Sequence, residues 1–332
     1  MTALCSRMCH AIGRTLCACL IAVALLLLAG CGPGENDTDG ASDGVPDTVR
    51  AARADTPISM VYPEWSSEIA TAHLLQAVLQ ERLGYTIEMR PVGVGEMWRQ
   101  VATGEADVLA GAWLPTTHQE YYAEYGERVD DLGPNLVGAR IGLVVPTAVP
   151  GRQTGDTGRT GRELVTVTSI DELAESAERF EGRIVGIEHG AGIMARTREA
   201  LTAYGLGGRY RILETSEPRM LDRLAAAVQR RQWIVLTGWR PHWIFELYAL
   251  RFLDDPNRVY GGEESIHTMV RRGFAEYAPE AYEVLSRASW HPEELERLML
   301  WIHEGDGDPY VQALRWMEVN DETVDSWLVA DE

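Results

Sequence analysis

Short apolar runs alternate with helical patterns twice along this chain, and that alternation constrains its fold most. In the first run Ile58–Tyr62 reads as a strand, Ile69 to Leu83 as a helix closing at Gly84, Thr86–Pro91 as a strand, Gly95–Ala102 as a helix, and Asp107–Trp113 as a strand. In the second, strands at Arg183–Ile187, Tyr210–Leu213 and Trp233–Thr237 are separated by helices at Ile193–Tyr204 and Pro218–Arg230. Apolar spacing of three and four marks the helices, and short apolar runs bounded by Gly or Pro mark the strands. Alternation of this kind predicts an α/β fold with largely parallel sheets. Two runs predict two lobes of similar build. Between them lie a strand at Ile141–Val145, a Gly/Thr/Arg-rich loop at Gly151–Gly161 and a helix opened by a capping box, Ser169-x-x-Glu172. A strand at Ile266–Arg271 and helices at Pro279–Arg287, Pro292–Glu304 and Pro309–Asn320 follow.

The start of the chain has a different character. All five cysteines, Cys5, Cys9, Cys17, Cys19 and Cys31, precede the first predicted strand. Neither a disulfide framework nor a cysteine zinc cage can therefore hold the body. Arg7 and Arg14 lead into an apolar run at Ala18–Leu28, too short to span a bilayer and long enough for the core of an export signal. The run ends in Leu28-Ala29-Gly30-Cys31, which resembles the lipobox of bacterial lipoproteins. That resemblance implies a signal peptide over 1–30, cleavage before Cys31 and lipid on its sulfur. Stable anchoring takes more than one acyl chain. Residues 31–56 hold almost no large apolar side chain and read as a flexible acidic tether. No later segment is a continuous apolar run of spanning length. The body is thus expected outside the cytoplasm, tied to a bacterial membrane surface. The formal net charge is −20 and the chain has no lysine. A nucleic-acid binder needs a basic face, so that class is excluded.

Ten tryptophans stand against four phenylalanines. Trp98, Trp233, Trp290, Trp301, Trp316 and Trp327 have no special context and read as structural. Trp65 lies just after a strand, in Tyr62-Pro63-Glu64-Trp65-Ser66. Trp113 ends a strand in Ala110-Gly111-Ala112-Trp113-Leu114-Pro115, and Trp239 ends one in Leu236-Thr237-Gly238-Trp239-Arg240-Pro241. Ligands of open α/β sheets bind at the carboxyl ends of strands. Indoles converging there can enclose a quaternary ammonium, because their faces carry negative quadrupole density.

Anion contacts have candidates too. Gly186-Ile187-Glu188-His189-Gly190-Ala191-Gly192-Ile193-Met194-Ala195 follows a strand and opens a helix, whose first N–H groups can hold an anion. Gly190-x-Gly192-x-x-Ala195, with Glu214 downstream, also fits a short dinucleotide pattern, which keeps a nucleotide-binding dehydrogenase as a rival. His118, five residues after Trp113, can reach a carboxylate near the same indole, and His242 is a second candidate. No nucleophile–base arrangement, metal-ligand spacing or Walker-type loop is present, so no enzyme, cofactor or metal is expected.

Taken together these segments resemble the glycine betaine/proline betaine substrate-binding proteins of ABC transporters, the OpuAC-like family. The likeness is carried by Trp65-Ser66-Ser67-Glu68-Ile69-Ala70, Gly104-Glu105-Ala106-Asp107, Ala112-Trp113-Leu114-Pro115-Thr116-Thr117-His118, Gly142-Leu143-Val144-Val145-Pro146, Gly190-Ala191-Gly192-Ile193-Met194, Thr237-Gly238-Trp239-Arg240-Pro241-His242-Trp243 and Leu253-Asp254-Asp255-Pro256. The resemblance implies a two-lobed periplasmic-binding-protein-like (type II) clamp with its cleft between lobes. Lobe I would be 57–142 and 250–332, and lobe II 143–249. It implies a box of Trp65, Trp113 and Trp239 around the cation, with His118 and the backbone amides of Gly192 and Ile193 on the carboxylate. The implied partners are a quaternary ammonium zwitterion, an ABC permease with its ATPase, and the membrane through the lipid anchor. Choline or carnitine on the same fold, or a ligand sensor that feeds no transporter, are the alternatives.

Overall fold

The computed structural model describes residues 57–147, 164–305 and 307–329, together with Arg53. The signal peptide expected over 1–30, Cys31, the tether over 31–56 (Arg53 apart) and the loop Gly151–Gly161 lie outside the described residues.

The nine strands among the described residues are β1 Ile58–Tyr62, β2 Ile87–Pro91, β3 Val108–Leu114, β4 Val129–Pro146, β5 Arg183–Val185, β6 Arg211–Leu213, β7 Leu236–Arg240, β8 Leu250–Phe252 and β9 Glu264–Arg271. They run in the order β2-β1-β3-β9-β4-β7-β5-β6, with β8 also on β4. The two alternating runs build the same unit twice. β1 lies between β2 and β3, parallel to both, and β9 adds antiparallel to β3. β5 lies between β6 and β7, parallel to both, and β4 adds antiparallel to β7. The expectation of largely parallel sheets thus needs correcting. Each parallel trio is closed by an antiparallel strand, so both sheets are mixed.

β4 is the strand that the two sheets share. Its first part, up to Ala139, pairs with β9, and from Arg140 it pairs with β7 and then β8. The chain therefore leaves one sheet and enters the other at a single peptide, between Ala139 and Arg140. The result is a two-lobed clamp. The sequence suggested only Ile141–Val145, because the first half of β4 (VDDLGPNLVGAR) is broken by register shifts and by Gly133 and Gly138 at φ 93° and 97°. Bulges of this kind let a strand bend, and they erase the alternation by which a strand is read.

Helices pack on these sheets by ordinary amphipathic logic. Val94–Thr103 buries Val94, Met97, Trp98 and Val101, one face at spacings of three and four, and stops at Gly104 in the left-handed region. Glu217–Arg230 buries Met220, Leu224, Ala227 and Val228 in the same way. β1 and β3 are buried almost throughout, as interior strands covered on both faces must be. The helix expected after Ser169 is instead a 3-10 segment, Ile170–Ser176. Ser169 caps it through the Asp171 N–H, but Glu172 turns away to accept from the Thr168 N–H (3.1 Å) and Oγ1 (2.9 Å), which breaks the reciprocal box.

Candidate ligand-binding site

Trp65, Trp113, His118, Gly192, Ile193 and Trp239 line one cavity between the lobes, completed by Ser67, Thr117, Ile141, Ile187 and Ala191. The three indoles are nearly closed off, with exposures of 7%, 3% and 4% for Trp65, Trp113 and Trp239.

Each indole is placed differently. Trp113 is the last residue but one of β3, and its Nε1–H donates to Glu68 Oε1 at 2.9 Å. Glu68 comes from the helix Ser66–Glu81 and fits only because position 111 is glycine, where a Cβ would stand 1.7 Å from Glu68 Oε2. Burial pushes the Glu68 carboxyl up to about 7, against the Trp113 hydrogen bond that favours its anion. Trp65 immediately precedes that helix, and its Nε1–H donates across the cleft to Glu188 of the second lobe. Trp239 lies within β7, opposite Ile141 of β4, and its buried Nε1 has no partner.

The polar side of the cavity is built from two turns. Glu264, buried at the start of β9, accepts from the Thr116 and Thr117 N–H groups, both at 2.7 Å, and from Thr117 Oγ1. That fixes the turn carrying His118. The Trp113 N–H donates to His118 Nδ1 at 3.2 Å, so the imidazole proton sits on Nε2. Nε2 is buried and has no partner. Burial alone holds this ring's pKa down to about 3, so it is a neutral N–H donor at any ordinary pH. On the facing lobe the helix Gly192–Ala203 begins at the cavity. As its first two residues, Gly192 and Ile193 have N–H groups without an intrahelical acceptor. Gly192 also approaches the other lobe closely, since a Cβ there would lie 2.0 Å from Thr117 O. That approach seats the glycine turn against Thr117 of the facing lobe.

His242, the other histidine candidate, does not line the cavity. It is fully buried, with its ring 4.8 Å from that of Trp239, and its Nδ1 accepts from the Ile244 N–H. Reading by motif missed Glu68, Glu188 and Glu264. Their partners lie 45, 123 and 148 residues away in sequence, so no local pattern announces them. Among the described residues no cluster of His, Cys, Asp and Glu could hold a metal, and no helix is long and apolar enough to cross a membrane.

A two-lobed α/β clamp that closes an aromatic cavity, rimmed by unpaired N–H donors, is a binding protein for a small molecule. A sequence profile for the substrate binding domain of ABC-type glycine betaine transport systems matches residues 56–319, and the chain belongs to this OpuAC family. It is 38% identical over 163 residues to the glycine betaine/carnitine transport binding protein GbuC of Listeria monocytogenes, a stretch covering 49% of this chain and 54% of that protein. The chain thus spans about half the length of that curated relative. Lactococcal OpuAC, in its closed conformation with glycine betaine, is 34% identical with a TM-score of 0.74, covering 83% of this chain and all of that one. The glycine betaine/L-proline-binding protein ProX of Borrelia burgdorferi is 32% identical with a TM-score of 0.75, covering 82% of this chain and 97% of that one.

Proposed function

We propose that this protein is the extracytoplasmic substrate-binding lipoprotein of an ABC importer. It would bind glycine betaine or a related quaternary ammonium zwitterion in a box formed by Trp65, Trp113 and Trp239. The observation that carries the reading is a pairing of unlike walls in one cavity. Three indoles supply apolar, electron-rich surface for a methylated cation. The unpartnered His118 Nε2–H and the amides of Gly192 and Ile193 supply donors for a carboxylate. Each lobe brings at least one cation contact and one anion contact, so only the closed clamp satisfies both ends of a zwitterion. Closure is then what the ligand favours, and the closed form is what a permease would dock. We place the change of lobe at Ala139/Arg140 on the way out, and between Leu253 and Glu264 on the way back.

Carnitine is the second reading, supported by the name of the Listeria relative. It has the same two charged ends on a longer chain. Choline has no carboxylate and would leave His118 and the Gly192 turn idle. Lipidation at Cys31 completes the proposal, and Cys31→Ala should release the protein from membranes on fractionation. Calorimetric titration with glycine betaine, proline betaine, carnitine and choline tests the ligand class. Tight binding of a betaine with choline much weaker is expected. Choline binding as tight as any zwitterion would refute the assignment of His118, Gly192 and Ile193.

A further inference from the structure

Behind Trp65, outside the cavity, a second set of contacts joins the lobes. Glu217 is the first residue of the helix Glu217–Arg230 in the second lobe, and it is only 3% exposed. Its carboxylate accepts from the Ser66 N–H at 2.9 Å and from Ser66 Oγ. Ser66 is the first residue of the first lobe's helix Ser66–Glu81 and adjoins Trp65. His242 Nε2 lies 3.2 Å from Glu217 Oε1, within ion-pair distance though off a hydrogen-bonding line. Its Nδ1 accepts from the Ile244 N–H, so the ring's proton sits on the Nε2 facing Glu217. Trp243 Nε1–H donates to Ser66 Oγ at 3.2 Å and completes that hydroxyl's partners.

We infer that Glu217 is a positioning residue, an interlobe clasp that captures the helix start carrying Trp65 and so sets ligand affinity without touching ligand. This rests on the betaine-box reading for its effect on affinity, but the clasp itself stands on the contacts above. A helix start has free N–H groups and a partial positive charge, which suit an anion arriving from the other lobe. When the lobes part, Ser66 and Glu217 both return to water. Closing must desolvate the carboxylate and then recover that cost through the Ser66 donors, which keeps the two states close in free energy. The geometry also explains why the clasp bears on the cage. Residues 65–68 hold a cage wall (Trp65), the clasp's donor (Ser66) and the carboxylate that holds a second wall (Glu68). A displacement of Ser66 is therefore felt at two indoles.

The test uses the full chain with Glu217→Ala and Ser66→Ala, the latter leaving every buried charge in place. Two quantities are read. Hydrogen exchange of the segment 64–68 is followed with and without glycine betaine, and ligand dissociation is followed by stopped-flow tryptophan fluorescence. Glu217→Ala should speed exchange in that segment whether or not ligand is present. It should also raise the dissociation rate by about tenfold or more, as loss of a charge-assisted contact predicts. Ser66→Ala, which keeps the N–H bond, should do the same to a smaller degree. A wild-type protein that binds no zwitterion would sink the ligand assignment while the exchange comparison still reads the clasp. Unchanged exchange in both variants overturns the clasp, as does faster exchange without faster dissociation in a wild type that binds.

Discussion

Gly192→Ala is the sharpest perturbation of the closed state. The added methyl would sit 2.0 Å from Thr117 O, and 2.8 Å from both the carbonyl carbon and Cγ2 of that residue. Non-bonded carbon contacts settle near 3.5 Å or beyond, so the lobes must part here by more than about 1 Å. The atom in the way is backbone, held by the Glu264 hydrogen bonds to the Thr116 and Thr117 N–H groups, and cannot swing aside. A parting of that size withdraws the Gly192 and Ile193 amides from a carboxylate held by His118. One charge-assisted hydrogen bond is worth about 1.5–3 kcal/mol, and a loosened indole contact adds about 1 kcal/mol. The sum, about 3 kcal/mol, is roughly a hundredfold in Kd. Calorimetric titration with glycine betaine measures it. Gly190→Ala is the control, since its methyl would meet nothing closer than Tyr121 Oη at 3.9 Å and should leave Kd unchanged. Thermal midpoints of the ligand-free proteins should agree, because parted lobes do not clash. A Gly192→Ala variant binding within about threefold of wild type would refute closure at this contact as the source of affinity.

Four further outcomes follow from the same geometry. Trp239→Ala should weaken betaine binding by about 1–2 kcal/mol or more in a calorimetric titration, and unchanged affinity would remove it from the box. His118→Ala should weaken betaine by about tenfold or more and leave choline untouched, because only the zwitterion has a carboxylate for Nε2–H; equal losses for both ligands would contradict that role. Since burial holds the His118 pKa down to about 3, affinity in a Glu68→Gln background, where the nearby carboxyl no longer titrates, should be flat between pH 8 and pH 5, and a fall centred on the ordinary histidine range would count against a neutral donor. Glu68 should make the fold less stable as pH rises. Its carboxyl is raised from 4.5 to about 7, so the folded state holds a proton that the unfolded chain has lost. Stability falls across that interval by an amount on the order of 3 kcal/mol. In Glu68→Gln, which keeps an acceptor for Trp113, urea unfolding at pH 5 and pH 8 should show that dependence removed.

The architecture was legible where burial left a periodic trace. The helices Val94–Thr103 and Glu217–Arg230 and the strands β1 and β3 stand out because each buries one continuous set of apolar side chains. Elements without such a trace were not read. The helix Gln119–Tyr125 buries no residue, so QEYYAEY carries no stripe. β7 starts at Leu236 instead of Trp233, because Trp233 packs against Phe180, with their ring centres 5.0 Å apart, and precedes the ladder. Its continuation through Gly238-Trp239-Arg240 is set by pairing with Gly142, Ile141 and Arg140 of β4. The cavity walls were readable because aromatic and glycine residues at strand ends are unusual by themselves. Their supports were not, because a buried glutamate looks like any surface glutamate until the fold supplies its donor. Ser66 and Glu217, 151 residues apart, illustrate this.

In the proposed box, carboxylates and the cation would be connected less directly than a net charge of −20 would suggest. Neither Glu68 nor Glu188 lines the cavity. Each stands behind an indole and takes its edge N–H, from Trp113 and Trp65 respectively. A carboxylate at that edge orients the ring and draws its dipole so that electron density gathers on the face, where a cation is held. Direct contact with a carboxylate would favour ammonium groups that still have N–H to donate. Indole faces backed by carboxylates favour the fully methylated group, which has none. The two supports also differ in when they act. Glu68 belongs to the same lobe as Trp113 and serves it in any state of the clamp, whereas Glu188 reaches Trp65 from the opposite lobe and serves it only on closure. Trp65 is therefore the wall completed last, and the Ser66–Glu217 contact beside it closes on the same movement. In the proposed box, selectivity for a methylated cation and stability of the closed state would both depend on one helix start, and a ligand too large to let that helix seat would lose both together.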